Sequence, residues 1–158
     1  MSRPEIPPDR RDALLAEMRA AADPWPALDA ALAEVVGHTL FTVMLVDWRT
    51  EEAARIYSNQ PEAYPVKGRK PLGALTEWGA QVLERQQPFI GYDADDIARV
   101  FPDHETIAAL GCASVLNVPV IAEGQVRGTL NLLHEAGFYA PGDADRVRPF
   151  AEIVADRL

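Results

Sequence analysis

The spacing of apolar positions changes period along the chain, and each change marks an element. From Asp12 to Ala22, Leu14, Leu15, Met18 and Ala22 recur at helical spacing with Arg and Glu on the opposite side, which predicts an amphipathic helix. After Asp23-Pro24-Trp25, the stripe Leu28, Ala31, Leu32 and Val35 predicts a second helix, with Pro26 suited to a first helical position and Gly37 to a left-handed cap. The β-branched and aromatic run from His38 to Trp48 then reads as a central strand, and Ala53 to Ser58 returns antiparallel to it after the charged turn Arg49 to Glu52. Pro61 to Leu75 carries three prolines and two glycines and is expected to be an ordered loop.

Helical spacing resumes over Thr76 to Gln87, where Trp78, Val82 and Leu83 share a stripe and Pro88 ends the pattern. A short strand, Phe89 to Tyr92, follows, and then two short acidic helices, Asp93 to Phe101 and Asp103 to Leu110, separated by Pro102. Ser114 to Ile121 and Val126 to His134, joined by Ala122-Glu123-Gly124-Gln125, form the strongest hairpin signal of the chain. Val147, Phe150, Ala151, Val154, Ala155 and Leu158 mark a terminal helix, and Pro149, which lacks a backbone N–H, is expected to split it into a short turn and a restart. The first eleven residues, rich in Pro and charge, are expected as a flexible segment ahead of a single domain over 12–158.

The string Val-Pro-Val-x5-Val-x-Gly-Thr-Leu-Asn-Leu from Val118 to Leu132, followed by a last helix opened by Tyr139-Ala-Pro-Gly-Asp143, resembles the GAF domain family. The resemblance spans about Gly37 to Leu158. It implies an α+β fold: an antiparallel sheet of five or six strands, terminal helices on one face, and a ligand cavity on the other beneath the intermediate helices and loops. It also implies a sensor or regulatory domain that binds a small molecule, without an effector of its own, and a homodimer through the terminal helices. The family covers many ligands, so ligand, cofactor and downstream protein all stay open.

Composition narrows this picture. With 48% apolar residues and a net charge of −9, the chain can bury a core but opposes the electrostatic attraction on which non-specific nucleic-acid binding rests. No apolar stretch approaches the roughly 20 residues that span a bilayer, and the N-terminus has no apolar signal core, so the expectation is a cytoplasmic protein with no membrane or nucleic-acid partner. His38, His104 and His134 are scattered, and no metal-ligand spacing, P-loop or dinucleotide fingerprint occurs.

Cys112 is the one cysteine. The free methionine-(R)-sulfoxide reductases, the branch of the family with its own activity, use several cysteines and acidic residues on the last hairpin. Aligned on that branch, Val115, Asn131 and Leu133 stand where the acids would be, which makes the chain a distant relation. Cys112 is either a possible redox residue, needing an outside thiol for turnover, or a small buried hydrophobe.

Transferring the pocket side from the same branch places Val115, Asn117, Thr129, Asn131 and Leu133 on the cavity face, since alternate strand residues share a face. Asn117 and Asn131 become cross-strand neighbours if the hairpin loop has three residues, 123–125, and a two-residue loop would separate them. Their amides could meet a polar ligand, or neighbouring backbone and water. Arg55, Tyr57, Ser58, Asn59 and Tyr64 on the second strand and the loop after it, with the basic cluster Lys67, Arg69 and Lys70, form an unusually cationic stretch. Arg55, Ser58, Asn59, Tyr64, Lys70 and Trp78 are the candidate site residues there, with an anionic ligand in view, against the alternative of a solvated loop.

Overall fold

The computed structural model describes residues 5–66, 68–74 and 76–158; Lys67 lies outside them. The chain runs α1 (Pro8–Ala20), α2 (Pro24–Val35), β1 (Leu40–Asp47), β2 (Glu52–Ser58), β3 (Arg69–Pro71), α3 (Thr76–Gly79), β4 (Phe89–Gly91), α4 (Ala94–Val100), α5 (His104–Ala109), β5 (Ser114–Ala122), β6 (Gln125–His134) and α6 (Pro141–Val154). One six-stranded antiparallel sheet in the order β3-β2-β1-β6-β5-β4 results, an α+β arrangement.

Alternation along the strands divides the apolar residues between two cores. Phe41 and Val43 of β1, Leu116 and Val118 of β5, and Leu130 and Leu132 of β6 pack against Leu28 and Leu32 of α2 and Val147 and Phe150 of α6. Their neighbours Leu40, Met44, Val115 and Leu133 face the other way, against Trp78, Val82, Ile97 and Ile107 of the intermediate segments. The terminal helices therefore cover one face and the α3–α5 region the other. Complete burial of a large apolar side chain such as Phe150 or Leu132 contributes about 2–3 kcal/mol, so both layers are strongly held.

Three elements differ from the sequence reading. Helix α1 starts at Pro8 rather than Asp12, so residues 8–11, expected in the loose N-terminal segment, are helical, with Pro in the first turn where no intrahelical N–H is required. Arg69–Pro71, inside the expected loop, forms the edge strand β3 against Glu52–Ala54; three residues are too few for a visible period, and Pro71 is tolerated because an edge strand has one unpaired side. Pro149 does not split α6, which runs unbroken to Val154. The carbonyl that Pro149 leaves without its helical partner belongs to Asp145, an exposed residue open to water, while Val147, Phe150, Ala151 and Val154 stay buried on the opposite face.

Two bulges set the registers. Between Val43 and Met44 the β1–β2 register shifts by one residue, so that Val43 faces Tyr57 and Met44 faces Arg55. Tyr57 is thereby turned to the terminal-helix side, where its hydroxyl donates to Asp29 of α2 at 2.6 Å, and the buried ring of His38 meets the same carboxylate at 2.7 Å. Burial pushes the Asp29 pKa up, but the hydrogen bonds from His38 and Tyr57 outweigh it and hold the group below its ordinary value of 3.8. A carboxylate whose native pKa is depressed contributes stability that is present above its unfolded value and lost as pH falls through its native one. Asp29→Asn is accordingly expected to flatten the loss of stability below about pH 4, read from denaturation midpoints across pH against wild type. An unchanged acid limb would show that the cluster does not tie α2 to the sheet.

Candidate functional site

The second bulge lies in the last hairpin and builds the site. The turn has two residues, Glu123 and Gly124, both at positive φ (55° and 75°), as a tight hairpin turn of this hand requires. Such a loop alone would separate Asn117 from Asn131. The register, however, shifts between Val120 and Ile121, leaving Arg127 as the extra residue, and Asn117 ends directly opposite Asn131. The expected three-residue loop is therefore wrong, but the pairing it was meant to produce is present.

On the face turned away from the terminal helices, a cavity of about 230 Å³ opens between the sheet and the α3–α5 region. Its floor is made by Thr42 and Met44 of β1, Val115 and Asn117 of β5, and Asn131 and Leu133 of β6. Trp78, Phe101 and Ile107 wall one side, and Ala53, Arg55, Tyr64, Gly68, Arg69 and Lys70 the other. The aromatic wall is braced by Phe101, whose ring meets Trp78 edge-on at 6.4 Å and Phe89 at 6.3 Å. After α3 the chain widens into a single π-helical turn, Ala80–Glu84, which buries Val82 and Leu83 in the layer that carries Trp78.

A relay of side-chain hydrogen bonds crosses the floor. The Trp78 indole N–H donates to Asn117 Oδ1 at 2.9 Å, Asn117 Nδ2 to Asn131 Oδ1 at 2.8 Å, and Asn131 Nδ2 to Thr42 Oγ1 at 3.1 Å. The asparagines thus meet each other, a tryptophan and a threonine. An indole nitrogen can only donate, so it fixes Asn117, which fixes Asn131, and the whole chain has one direction.

The cationic wall is partly neutralised. Arg55 stacks 3.6 Å above the Tyr64 ring, donates to the Pro65 carbonyl at 2.7 Å and lies 3.8 Å from Asp103. The Tyr64 hydroxyl donates to the same carboxylate, and burial, together with the Asp103 charge, pushes the phenol well above its ordinary pKa, so it stays protonated. Arg69 is shared between Asp47 at 3.7 Å and Glu52 at 3.5 Å. The ammonium of Lys70, a half-buried residue of the wall, has no hydrogen bond or ion pair among the described residues.

Of the residues singled out from the sequence, Arg55, Tyr64, Lys70, Trp78, Val115, Asn117, Asn131 and Leu133 line this cavity. Ser58, Asn59 and Thr129 do not. Ser58 Oγ accepts the Gln60 N–H at 3.1 Å, closing a local turn. The Asn59 amide accepts from Phe41 N at 2.8 Å and donates to the Thr39 carbonyl at 3.2 Å, so it caps the end of β1. Thr129 is fully buried beside Met44, with its hydroxyl unpartnered among the described residues.

Thr42, Met44, Ala53, Phe101 and Ile107 were missed. Thr42 could have been found from its cross-strand pairing with Asn131, whereas nothing local connects Phe101 or Ile107 to the sheet. Cys112 is 3% exposed within the apolar layer, away from the cavity lining, and burial raises its thiol pKa, which works against a reactive thiolate. Among the described residues no helix is long and apolar enough to cross a membrane, and no three His, Cys, Asp or Glu side chains converge as a metal site.

The comparisons agree with this architecture. The family model for the GAF domain matches residues 26–158, so the chain belongs to the GAF domain family, whose members are in general small-molecule-binding sensor or regulatory domains. The fold is similar to that of the GAF domain of a phosphoenolpyruvate-protein phosphotransferase from Coxiella burnetii (TM-score 0.73, 18% identity, 94% of this chain and 89% of that one). It is similar also to the free methionine-R-sulfoxide reductase of Neisseria meningitidis, solved with its substrate (TM-score 0.68, 20% identity, 99% and 94%). A third is the chromophore-binding domain of a bacteriophytochrome from R. palustris (TM-score 0.69, 10% identity, 94% and 59%). No curated protein matches the sequence.

Proposed function

We propose that this GAF domain is a sensor whose small-molecule ligand occupies the cavity over β1, β5 and β6, with Asn131, Thr42, Lys70 and Arg55 supplying the polar contacts. The observation that carries the reading is the convergence of a few polar groups on an otherwise apolar, roofed cavity, the usual make-up of a ligand pocket. The ligand is anionic on this reading, because Lys70 of the wall has no carboxylate at ion-pair distance among the described residues. Occupancy would be transmitted to another cytoplasmic protein, through a homodimer joined by the terminal helices α1, α2 and α6. The coupling route would run through the strands, whose alternate residues face the cavity on one side and those helices on the other.

The test uses Trp78 as its own reporter. A fragment library of anions, cations and neutral compounds is expected to contain molecules that shift the Trp78 indole N–H resonance in the full chain. Ala53→Leu, which adds a side chain inside the cavity while keeping the strand apolar, is expected to abolish those shifts without unfolding. If no fragment of any charge moves the resonance more in wild type than in Ala53→Leu, the cavity is not a binding site.

A further inference from the structure

The size of the cavity limits its guest. At about 230 Å³ it holds roughly eight water volumes, below the roughly 300 Å³ at which drug-sized pockets begin, so its guest has on the order of ten non-hydrogen atoms.

Charge and hydrogen-bond direction narrow the guest further. Arg55 is matched by Asp103, and Arg69 by Asp47 and Glu52, which leaves Lys70 as the cation of the lining without a counter-charge among the described residues. Its ammonium, with no carboxylate at ion-pair distance, is the point on the wall where an anionic head would be held. Because the donor-only indole of Trp78 orients the relay, each asparagine carbonyl already accepts a hydrogen bond. Protons remain on the floor at the Thr42 end: the second amide hydrogen of Asn131 and the hydroxyl hydrogen of Thr42, whose oxygen is used as an acceptor. These protons beside the Lys70 ammonium suit acceptor oxygens, and the ammonium repels a protonated amine. Trp78, Phe101 and Leu133 offer only apolar surface to the remainder of the guest.

Resting on the reading that the cavity binds a small molecule, the geometry points to a compact organic monocarboxylate as the ligand class. Its carboxylate lies between Lys70 and the Thr42–Asn131 end of the relay, and its apolar body lies against Trp78 and Phe101. A phosphate monoester shares the oxyanion chemistry but brings a second negative charge that the lining does not match.

The experiment titrates benzoate and isocaproate, their neutral amides, benzylammonium and phenyl phosphate into the full chain, reading the Trp78 indole N–H. The carboxylates are expected to bind at least about tenfold more tightly than their amides, the size of one charge-assisted contact, with benzylammonium silent and phenyl phosphate weaker than benzoate. Lys70→Met should lower carboxylate affinity to that of the amides, and Lys70→Arg should retain most of it. Asn131→Asp, which Thr42 can accommodate by turning its hydroxyl to donate, should lose the carboxylates with the indole resonance still in place.

Equal binding of carboxylates and amides, tighter binding of phenyl phosphate, or unchanged carboxylate affinity in Lys70→Met would overturn the carboxylate assignment and leave the pocket reading standing. Silence from every compound would overturn the assignment as well, and the fragment comparison with Ala53→Leu then decides separately whether the cavity binds anything.

Discussion

Gly128→Val is expected to destabilise the protein by about 3 kcal/mol or more, lowering the thermal midpoint by roughly 10 °C. Gly128 lies in β6 between two partners, opposite Leu45 of β1 and Val120 of β5, at the hairpin bulge. A Cβ built there stands 2.3 Å from the Met44 carbonyl oxygen and 2.7 Å from Leu158 Cδ1. The leucine tip can swing away. The carbonyl cannot, because it belongs to the strand paired with β6, so any side chain must prise β1 from β6 in the middle of the sheet. The requirement is close approach of backbones and not a left-handed conformation, which sets Gly128 apart from Gly124 in the turn. Gly128→Ala carries the same clash, and a stability within about 0.5 kcal/mol of wild type by urea denaturation would show that the sheet opens more readily than this packing implies.

Asn117→Leu is the second large effect, expected to cost about 2–5 kcal/mol although the side chain keeps its branching and its number of non-hydrogen atoms. The variant removes the acceptor of the Trp78 indole and the donor to Asn131 at one stroke, orphaning two polar groups in a layer where Asn117 itself is 2% exposed. The loss should be smaller on a Trp78→Phe background, where the indole N–H is already absent. A double-mutant cycle therefore isolates the Trp78–Asn117 term. Additive losses would mean that the relay is not coupled, and the directional argument for the cavity floor would weaken with it.

The site was partly legible before any coordinates. Asn117 and Asn131 stand out as amides in an otherwise apolar hairpin, and Lys70 and Arg55 as cations clustered in an acidic chain. What each does was not legible. Arg55 and Arg69 look alike in the sequence as free charges, and only their distances to Asp103, Asp47 and Glu52 show them matched. Ser58 and Asn59 carry the right chemistry for a ligand, but local backbone groups consume it. Cys112 follows the same pattern, a reactive residue type made quiet by burial.

By itself the sequence determined the helices of the two ends, five of the six strands and the final hairpin, because these rest on local periodicity and turn chemistry, which neighbouring residues decide among themselves; the family it showed only by the resemblance of Val118 to Leu132. The tertiary structure alone decided the edge strand at Arg69–Pro71, the unbroken last helix, the two bulges and the membership of the cavity. A bulge is chosen by what packs on both faces of the sheet, and a relay that joins Trp78 to Asn117 across 39 positions and Asn131 to Thr42 across 89 has no local signature. Side chains far apart in the chain acquire their pairing, their burial and so their chemistry only when the layers close.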